Sequence, residues 1–206
     1  MGSTQAITGK VRISYEHLLK PWANNPAAEP KYSCTILIPK GDIKTLQAVN
    51  AAIEAAKATG REKWGSSWPP QVPTPLHDGD GARENGLPFG EECRGHWVMT
   101  ASSKRKQDVV DAAVQPILDA SEVYSGMYAR VNVNFFAYNA AGRRGIGCGL
   151  GPVQKLADGE PLGGGAISAD QVFTAVDPQP AYQPQATAWG DIDPITGLPR
   201  APLAGL

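Results

Sequence analysis

The sequence lacks the local motifs that identify most hydrolases, metalloproteins and exported proteins. Its three histidines lie outside any HExxH or GxSxG pattern, and its three cysteines are widely spaced, with no CxxC pair. No apolar run approaches the roughly 18 residues that a membrane-spanning helix needs, and the first ten residues contain no signal-peptide core. These absences argue against a disulfide framework, a four-ligand zinc site and a membrane protein. We therefore expect no cofactor, no bound metal and no enzymatic activity.

One group of residues keeps a metal-enzyme alternative open. Cys93 and His96 have the spacing of metal ligands, and His77 with Asp78 or Asp80 would complete a site. The LHDGDG segment that contains three of these residues lacks the later bidentate carboxylate of an EF-hand, which favours a simple turn. Metal analysis of the purified protein separates the two interpretations.

The formal net charge of −1 conceals an uneven distribution along the chain. Up to Leu156 the sequence has 18 basic and 14 acidic residues, whereas the remainder has 1 basic and 6 acidic residues. A weakly basic body joined to an acidic tail favours a polyanionic ligand, although a solvated charged surface explains the same numbers. The 23 glycines and 18 prolines favour short strands and turns over a helical bundle.

Alternating apolar and polar residues predict a mainly β protein with one helix. Strands are predicted at residues 7–15, 31–38, 95–103, 127–139 and 143–151. Asp42 is placed to cap a helix whose apolar residues recur at three- and four-residue steps until Gly60 ends it. Residues 61–94, rich in proline, are predicted to form a long insertion loop, and residues 104–126 to be weakly helical.

The first of these strands is predicted to be half buried. Val11, Ile13 and Tyr15 would face the core, because they alternate with polar residues. Lys10 and Arg12 would then stand on a basic outer face. We include these two cations among the candidate ligand-binding residues.

The fourth predicted strand, MYARVNVNFFAYN, carries the clearest functional signal. Its odd-numbered positions from Met127 to Ala137 are all apolar, which predicts a face buried in the core. Its even-numbered positions hold Tyr128, Arg130, Asn132, Asn134, Phe136 and Tyr138. Single-stranded nucleic acid stacks its bases on exposed rings of this kind, and each stack contributes about 1–3 kcal/mol. The alternative is that the helix beginning near Asp42 covers this face.

Two basic runs and a glycine-rich strand complete the candidate binding features. Lys104, Arg105 and Lys106 follow the third predicted strand, and Arg143 and Arg144 begin the fifth. Such cations would track phosphates, although charge runs are also common on solvated surfaces. The fifth strand places four glycines on one side: Gly145, Gly147, Gly149 and Gly151. Bare backbone there either lets an unstacked nucleotide approach closely or eases the curvature of a closed barrel.

Several longer segments together resemble a known family. These segments are GKVRISYEHLLKP, EPKYSCTILIPKGD, GHWVMTASSKRK, VQPILDASEVYSGMYARVNVNFFAYN and RRGIGCGLGPVQKLADGEPLGG. In their order they resemble the phage-encoded single-stranded-DNA-binding family once described as a domain of unknown function. The resemblance runs from about Gly9 to Gly165, which is most of the chain.

The resemblance implies an OB barrel that binds single-stranded DNA with little sequence preference. In such barrels the ligand lies across the second and third strands, beneath the loops that join the first strand to the second and the fourth to the fifth. Carried onto this sequence, those regions hold Lys20, Trp22, Lys31, Ser33, Trp97, Arg143 and Arg144.

We therefore predict a five-stranded OB-like barrel over residues 6–165, with a helical and loop insertion, and a flexible proline-rich acidic tail over residues 166–206. The predicted partner is single-stranded DNA, coated and protected during phage DNA replication or recombination in the cytoplasm of the infected bacterial host. Weak duplex binding and contacts with phage or host replication proteins are further interactions to test, and no membrane contact is expected. The alternative is a phage structural or assembly protein whose aromatic face is a protein interface.

Overall fold

The computed structural model describes residues 2–23, 25–83, 85–140 and 142–162. Its helix and strands are β1 Gln5–Ile7, β2 Val11–Trp22, β3 Lys31–Pro39, α1 Ile43–Trp64, β4 His77–Asp78, β5 His96–Ser103, β6 Val109–Val110, β7 Tyr128–Ala140 and β8 Arg143–Ala157. Short 3-10 turns lie at Gly65–Ser67, Glu91–Cys93 and Ala120–Glu122. The predicted tail, residues 166–206, lies outside the described residues. Within the described part, no helix has the length and hydropathy needed to cross a bilayer.

Five of the strands pair into a closed ring in the order β7, β2, β3, β5 and β8, with β8 returning to β7. All of these pairs are antiparallel except β5 and β8, which pair in parallel where Ser102 lies beside Gly149. Five strands closing on one another in this way are the OB arrangement. The predicted fold class, mainly β with an OB-like ring and one helix, is confirmed.

The interior of the ring is apolar because alternate residues of each strand point inward. On β7 this confirms the predicted odd-numbered face, since Val131, Val133 and Phe135 are at most 1% exposed. The same core contains buried side chains from β3, β5 and α1: Cys34, Ile36, Ile38, Met99, Ala101, Val49, Ala52, Ile53 and Ala56.

The helix begins where the sequence predicts but ends later. The Asp42 side chain accepts a hydrogen bond from the backbone N–H of Thr45 at 3.0 Å, so the predicted cap is present. Gly60 does not end α1, which continues to Trp64. A Cβ at Gly60 would stand 2.6 Å from the ring of Trp68 and 3.0 Å from the Cβ of Ala137. Gly60 therefore serves close packing rather than termination.

The prediction for the first strand is wrong in two respects. The segment is split into β1 and β2, and β2 runs on to Trp22. Opposite β3, the stretch of β2 between Ser14 and His17 holds one more residue than its partner, and Tyr15 adopts a φ of 45°. An extra residue of this kind reverses the alternation. Ser14 is consequently buried, whereas Tyr15, predicted to face the core, is 61% exposed.

Residues 104–126, predicted to be weakly helical, contain the short strand β6 and a 3-10 turn instead. The carboxylate of Asp111 accepts hydrogen bonds from the backbone N–H groups of Ala113 and Gln115, both at 2.8 Å. These bonds fix a tight turn, because an Asp side chain competes with the helical hydrogen-bond pattern. The insertion predicted at 61–94 also has structure of its own, since β4 pairs with β5.

Candidate nucleic-acid interface

A groove crosses the outer face of β2, β3 and β5 and encloses about 780 Å³. Short polar side chains line its floor, namely Ser33 and Thr35 of β3 and Thr100 of β5. The hydroxyl oxygens of Thr35 and Thr100 lie 3.2 Å apart. Because a hydroxyl both donates and accepts hydrogen bonds, this floor suits ligands that present either kind of group.

One wall of the groove carries three flat side chains of β2. Tyr15 is presented by the irregularity described above, while the rings of His17 and Trp22 stack with centroids 5.0 Å apart and planes within 10°. Tyr15 and Trp22 are each more than half exposed. Large exposed rings on a sheet surface are typical of a binding site.

The opposite wall is formed by the segment between β4 and β5, described at residues 79–83 and 85–95, which we call the hood. Within it the Arg83 N–H bonds the Leu87 carbonyl at 2.8 Å, which forms a tight turn. The hood places Phe89 against the groove with the guanidinium of Arg83 5.3 Å from its ring centre. A small apolar cluster anchors the hood to the sheet and to the end of the described chain: Leu37, Cys93, Val98, Phe89 and Leu162.

Cations gather at the end of the groove that lies beyond Trp22. Lys31 pairs with Trp22 across β2 and β3, and Lys20 is exposed on the same strand as Trp22. Tyr32 pairs with Ser103, so the basic run after β5 begins beside them. Within that run Lys104 forms an ion pair with Glu29 at 2.6 Å, while its two neighbours Arg105 and Lys106 are exposed.

The aromatic face predicted on β7 is not covered by α1. Phe136 is 46% exposed, and it lies over Gly147 so closely that a Cβ there would stand 2.6 Å from its Cζ. Tyr138 lies over Gly145 in the same way, at 2.7 Å from its hydroxyl oxygen. The glycines of β8 thus form a bed for the rings of the neighbouring strand, a role that neither predicted interpretation included.

Comparison with known proteins supports a family assignment. The family model described as "Enterobacter phage Enc34, ssDNA-binding protein" matches residues 4–182 of the 206. The chain belongs to this family. Its structure is similar to that of the single-stranded DNA-binding protein from bacteriophage Enc34 in complex with ssDNA, with a TM-score of 0.64 and 26% identity over 78% of this chain and 90% of that one. The predicted resemblance is therefore confirmed.

Two further relatives extend the comparison beyond the Enc34 protein. A sequence 27% identical over 79% of this chain and 89% of its own length is the putative protein p50 of Acyrthosiphon pisum secondary endosymbiont phage 1. The gp2.5 single-stranded DNA-binding protein of bacteriophage T7 has a TM-score of 0.54 and 16% identity over 78% of this chain and 95% of its own. At that identity the T7 protein supports the fold alone.

Some predicted site residues of this Enc34-family chain lie away from the groove lining. Lys10 lies over the ring of Tyr128 at 4.4 Å, and the Arg12 side chain donates to the Glu160 carbonyl at 2.6 Å. The Arg130 Nε donates to the Thr8 carbonyl at 3.4 Å. These three cations are thus engaged within the domain.

The remaining predicted residues divide between the helix side and the β7–β8 hairpin. Trp97 lines a small cavity with residues of α1, which places it on the side of β5 opposite the groove floor. Arg144 donates to the Ser67 carbonyl, whereas Arg143 at the hairpin end is exposed. Of the predicted residues, Trp22 and Ser33 line the groove itself, with Lys20, Lys31 and the 104–106 run nearby.

The residues suggested as metal ligands have other partners. Asp78 and Asp80 both bind Lys40, at 2.6 Å each, and Cys93 is buried in the hood cluster. Within the described residues there is no group of three or more His, Cys, Asp or Glu side chains arranged to hold a metal. The geometry around LHDGDG is that of a turn, with the Gly81 N–H bonded to the Asp78 carbonyl at 3.0 Å.

Proposed function

We propose that this chain binds single-stranded DNA in the groove of β2, β3 and β5, and coats and protects it during phage DNA replication and recombination. The observation that carries the proposal is the groove itself, whose hydroxyl floor lies on β3 and β5, the second and third strands of the ring, which OB folds use for oligonucleotides. Exposed rings of β2 and of the hood flank this floor. Membership of the Enc34 single-stranded-DNA-binding family supports it. The protein acts by binding, without a catalytic step, in the cytoplasm of the infected bacterium.

The chemistry of the groove accounts for binding without sequence preference. Bases stack on Tyr15, on the paired rings of His17 and Trp22, and on Phe89 across the groove. Every base has a flat face, so stacking accepts any sequence. Phosphates are neutralised by Arg83 and by the cations gathered beyond Trp22: Lys20, Lys31, Lys104, Arg105 and Lys106. The floor hydroxyls serve as donor or acceptor for whichever base edge reaches them.

Titration of a fluorescent oligothymidine at low salt tests this function, with duplex DNA of equal length as the comparison. We expect saturable binding to the single strand and weaker binding to the duplex, because paired bases cannot stack on the groove rings. A phage structural or assembly protein would give no saturable signal with either DNA. That result would overturn the proposal.

We propose a second stacking position at Phe136, outside the groove. The outer face of the barrel is continuous between the two places, because Ser33 pairs with Ser102, Ser102 with Gly149 and Gly149 with Asn134. A strand of DNA that leaves the groove along this row of small residues meets the exposed side of the Phe136 ring. The glycine bed beneath the ring keeps it flat against the sheet.

Replacing Phe136 by alanine should weaken binding of a long oligothymidine by about fivefold, which is the lower end of the stacking range. The loss is modest because only one side of the ring is exposed. A short oligomer that fills the groove alone should bind the variant as it binds the wild type. Affinity by fluorescence anisotropy and melting temperature are measured together, with Phe136→Leu as the variant that keeps apolar cover on Gly147. Equal losses for both oligomers would contradict the second position.

We also propose the division into a binding domain and an acidic tail, with the tail as a tethered competitor of DNA. Residues 166–206 contain four aspartates and one arginine. They follow Leu162 along the chain, whose side chain packs with Leu37 and Val98 beneath the hood. A tethered acidic segment has a high effective concentration at a cationic groove.

Removal of residues 166–206 should tighten binding several-fold at low salt and leave the melting temperature unchanged. The gain should shrink as salt rises, because screening weakens the attraction of the acidic segment to the groove. Affinity and melting temperature of the truncated chain at two salt concentrations measure both effects. Unchanged affinity at low salt removes the competition, and a lower melting temperature with weaker binding shows that the segment contributes to the fold.

A further inference from the structure

The base of the hood is pinned by a charged network on the side of the sheet away from the groove. Lys40, just after β3, places its Nζ 2.6 Å from a carboxylate oxygen of Asp78 and 2.6 Å from one of Asp80. The other oxygen of Asp80 accepts the backbone N–H of Gly95 at 2.9 Å, which joins the two ends of the hood. The Lys40 N–H in turn donates to the Gly95 carbonyl at 3.0 Å.

The register of β4 and β5 places this network opposite the groove. Asp78 pairs with Trp97, which faces α1, whereas His77 pairs with Val98, which lines the groove. Paired residues of neighbouring strands share a face, so Asp78 and Lys40 lie on the α1 side. The Lys40 ammonium is 5.7 Å from the centre of the Trp97 ring, in agreement with this placement.

The backbone at the hood base leaves little freedom for another arrangement. The Gly79 N–H donates to the His96 carbonyl at 2.9 Å, and a Cβ at Gly79 would clash with the carbonyl oxygens of Cys93 and His96. Hydrogen bonds from Lys40 hold the pKa values of Asp78 and Asp80 below their usual range. The two carboxylates are therefore ionised at neutral pH and bound to the same ammonium.

We propose that Lys40, Asp78 and Asp80 form a latch that positions Arg83 and Phe89 against the groove, and that these two aspartates therefore promote DNA binding. The inference rests on the proposed function, and it makes Asp78 and Asp80 positioning residues. None of the three latch residues lines the groove. The latch acts through the hood, because holding Arg83 and Phe89 in place before DNA arrives reduces the conformational entropy that is lost on binding.

The latch and simple electrostatics predict opposite changes in DNA affinity when a negative charge is removed. Asp80→Asn removes one negative charge, so the field alone predicts tighter binding to a polyanion. The latch predicts the opposite: weaker binding to oligothymidine by about fivefold or more, comparable with the loss of one stacked base. Glu91→Gln is the matched control, because Glu91 is also an acid of the hood and forms an ion pair with the exposed Arg94. It should not weaken binding.

Two further measurements test whether Asp80→Asn weakens DNA binding through the hood. In a background that already carries Arg83→Ala and Phe89→Ala, Asp80→Asn should change affinity by less than twofold, because coupled residues are not additive. Trypsin should cleave Asp80→Asn faster than wild type after Arg83, since a released hood is more accessible. Asp78→Asn, which leaves the Gly95 bond to Asp80 in place, is the milder variant if Asp80→Asn does not fold.

Tighter or unchanged binding by both Asp variants would overturn the latch while leaving the proposed function intact. An equal loss of affinity in the Arg83→Ala, Phe89→Ala background would also overturn it, because the aspartates would then act elsewhere. Failure of the wild-type chain to bind oligothymidine would overturn the proposed function, and the latch with it.

Discussion

Replacing Tyr15 and Phe89 together by alanine should weaken binding of oligothymidine by about thirtyfold or more. The two rings stand on opposite walls of the groove, one on β2 and one on the hood. Each stacked base contributes about 1–3 kcal/mol, so the loss of both stacks is expected to cost at least 2 kcal/mol and up to about 6. The double variant should still melt near the wild-type temperature, because Tyr15 is mostly exposed and Phe89 only rims the buried hood cluster.

The backbone at Tyr15 offers a sharper control than alanine. Residues other than glycine, asparagine and aspartate rarely adopt a φ of 45°, so this backbone conformation is strained for a tyrosine. Tyr15→Gly should therefore hold or raise the melting temperature while it weakens DNA binding. Leu87→Ala is the matched hood control, since Leu87 is 61% exposed and does not line the groove. Wild-type affinity in a folded Tyr15→Ala, Phe89→Ala protein would contradict the stacking role of the groove.

The fold was largely predictable because alternation is a local property. On β3, β5 and β7 every second residue is apolar, and each of these strands was found within two residues of its predicted ends. The OB order of the ring could not come from alternation. It came from the family resemblance, because pairing such as that of Ser102 with Gly149 joins residues far apart in sequence.

Most of the groove was not predictable, because its position depends on departures from regular structure. The extra residue between Ser14 and His17 turns Tyr15 outward, and no neighbouring glycine or proline signals it. Phe89 and Arg83 lie in the hood, where a lone aromatic in a segment rich in glycine and proline was the only available signal. The sequence also did not indicate that Trp97 lies on the α1 side of β5, away from the groove floor.

The case of Trp97 shows what pattern alone leaves undecided. Two adjacent residues of β5, Trp97 and Val98, are both apolar, so the sequence does not say which of them faces the helix. The structure places Trp97 beside α1 and Val98 beneath the hood, because the insertion covers part of the outer face. An insertion that buries one end of a sheet surface removes the polar residues by which an outer face is recognised.

The affinity for single-stranded DNA should fall by about fiftyfold when salt rises from about 50 to about 200 mM, if roughly four phosphates are neutralised. Each neutralised phosphate contributes about −0.7 to the slope of log affinity against log salt concentration for a single strand. The cations expected to contact these phosphates surround the open end of the groove: Lys20, Lys31, Lys104, Arg105 and Lys106. At any one salt concentration, oligomers of mixed sequence should bind within tenfold of one another, since stacking on Tyr15 and Trp22 does not distinguish bases.

Substitution of single charged residues tests whether the salt dependence of DNA binding arises at the groove. Lys31→Gln should lower the magnitude of the salt slope by about 0.7, the share of one phosphate contact on a single strand. Lys44→Gln, which changes another exposed lysine that lies on α1, should leave the slope unchanged. Glu29→Gln should tighten binding at low salt, because it frees Lys104 from the ion pair at 2.6 Å that now occupies it. Equal slopes for the Lys31 and Lys44 variants would show that DNA does not pass the open end, and would move the phosphate path to another face of the barrel.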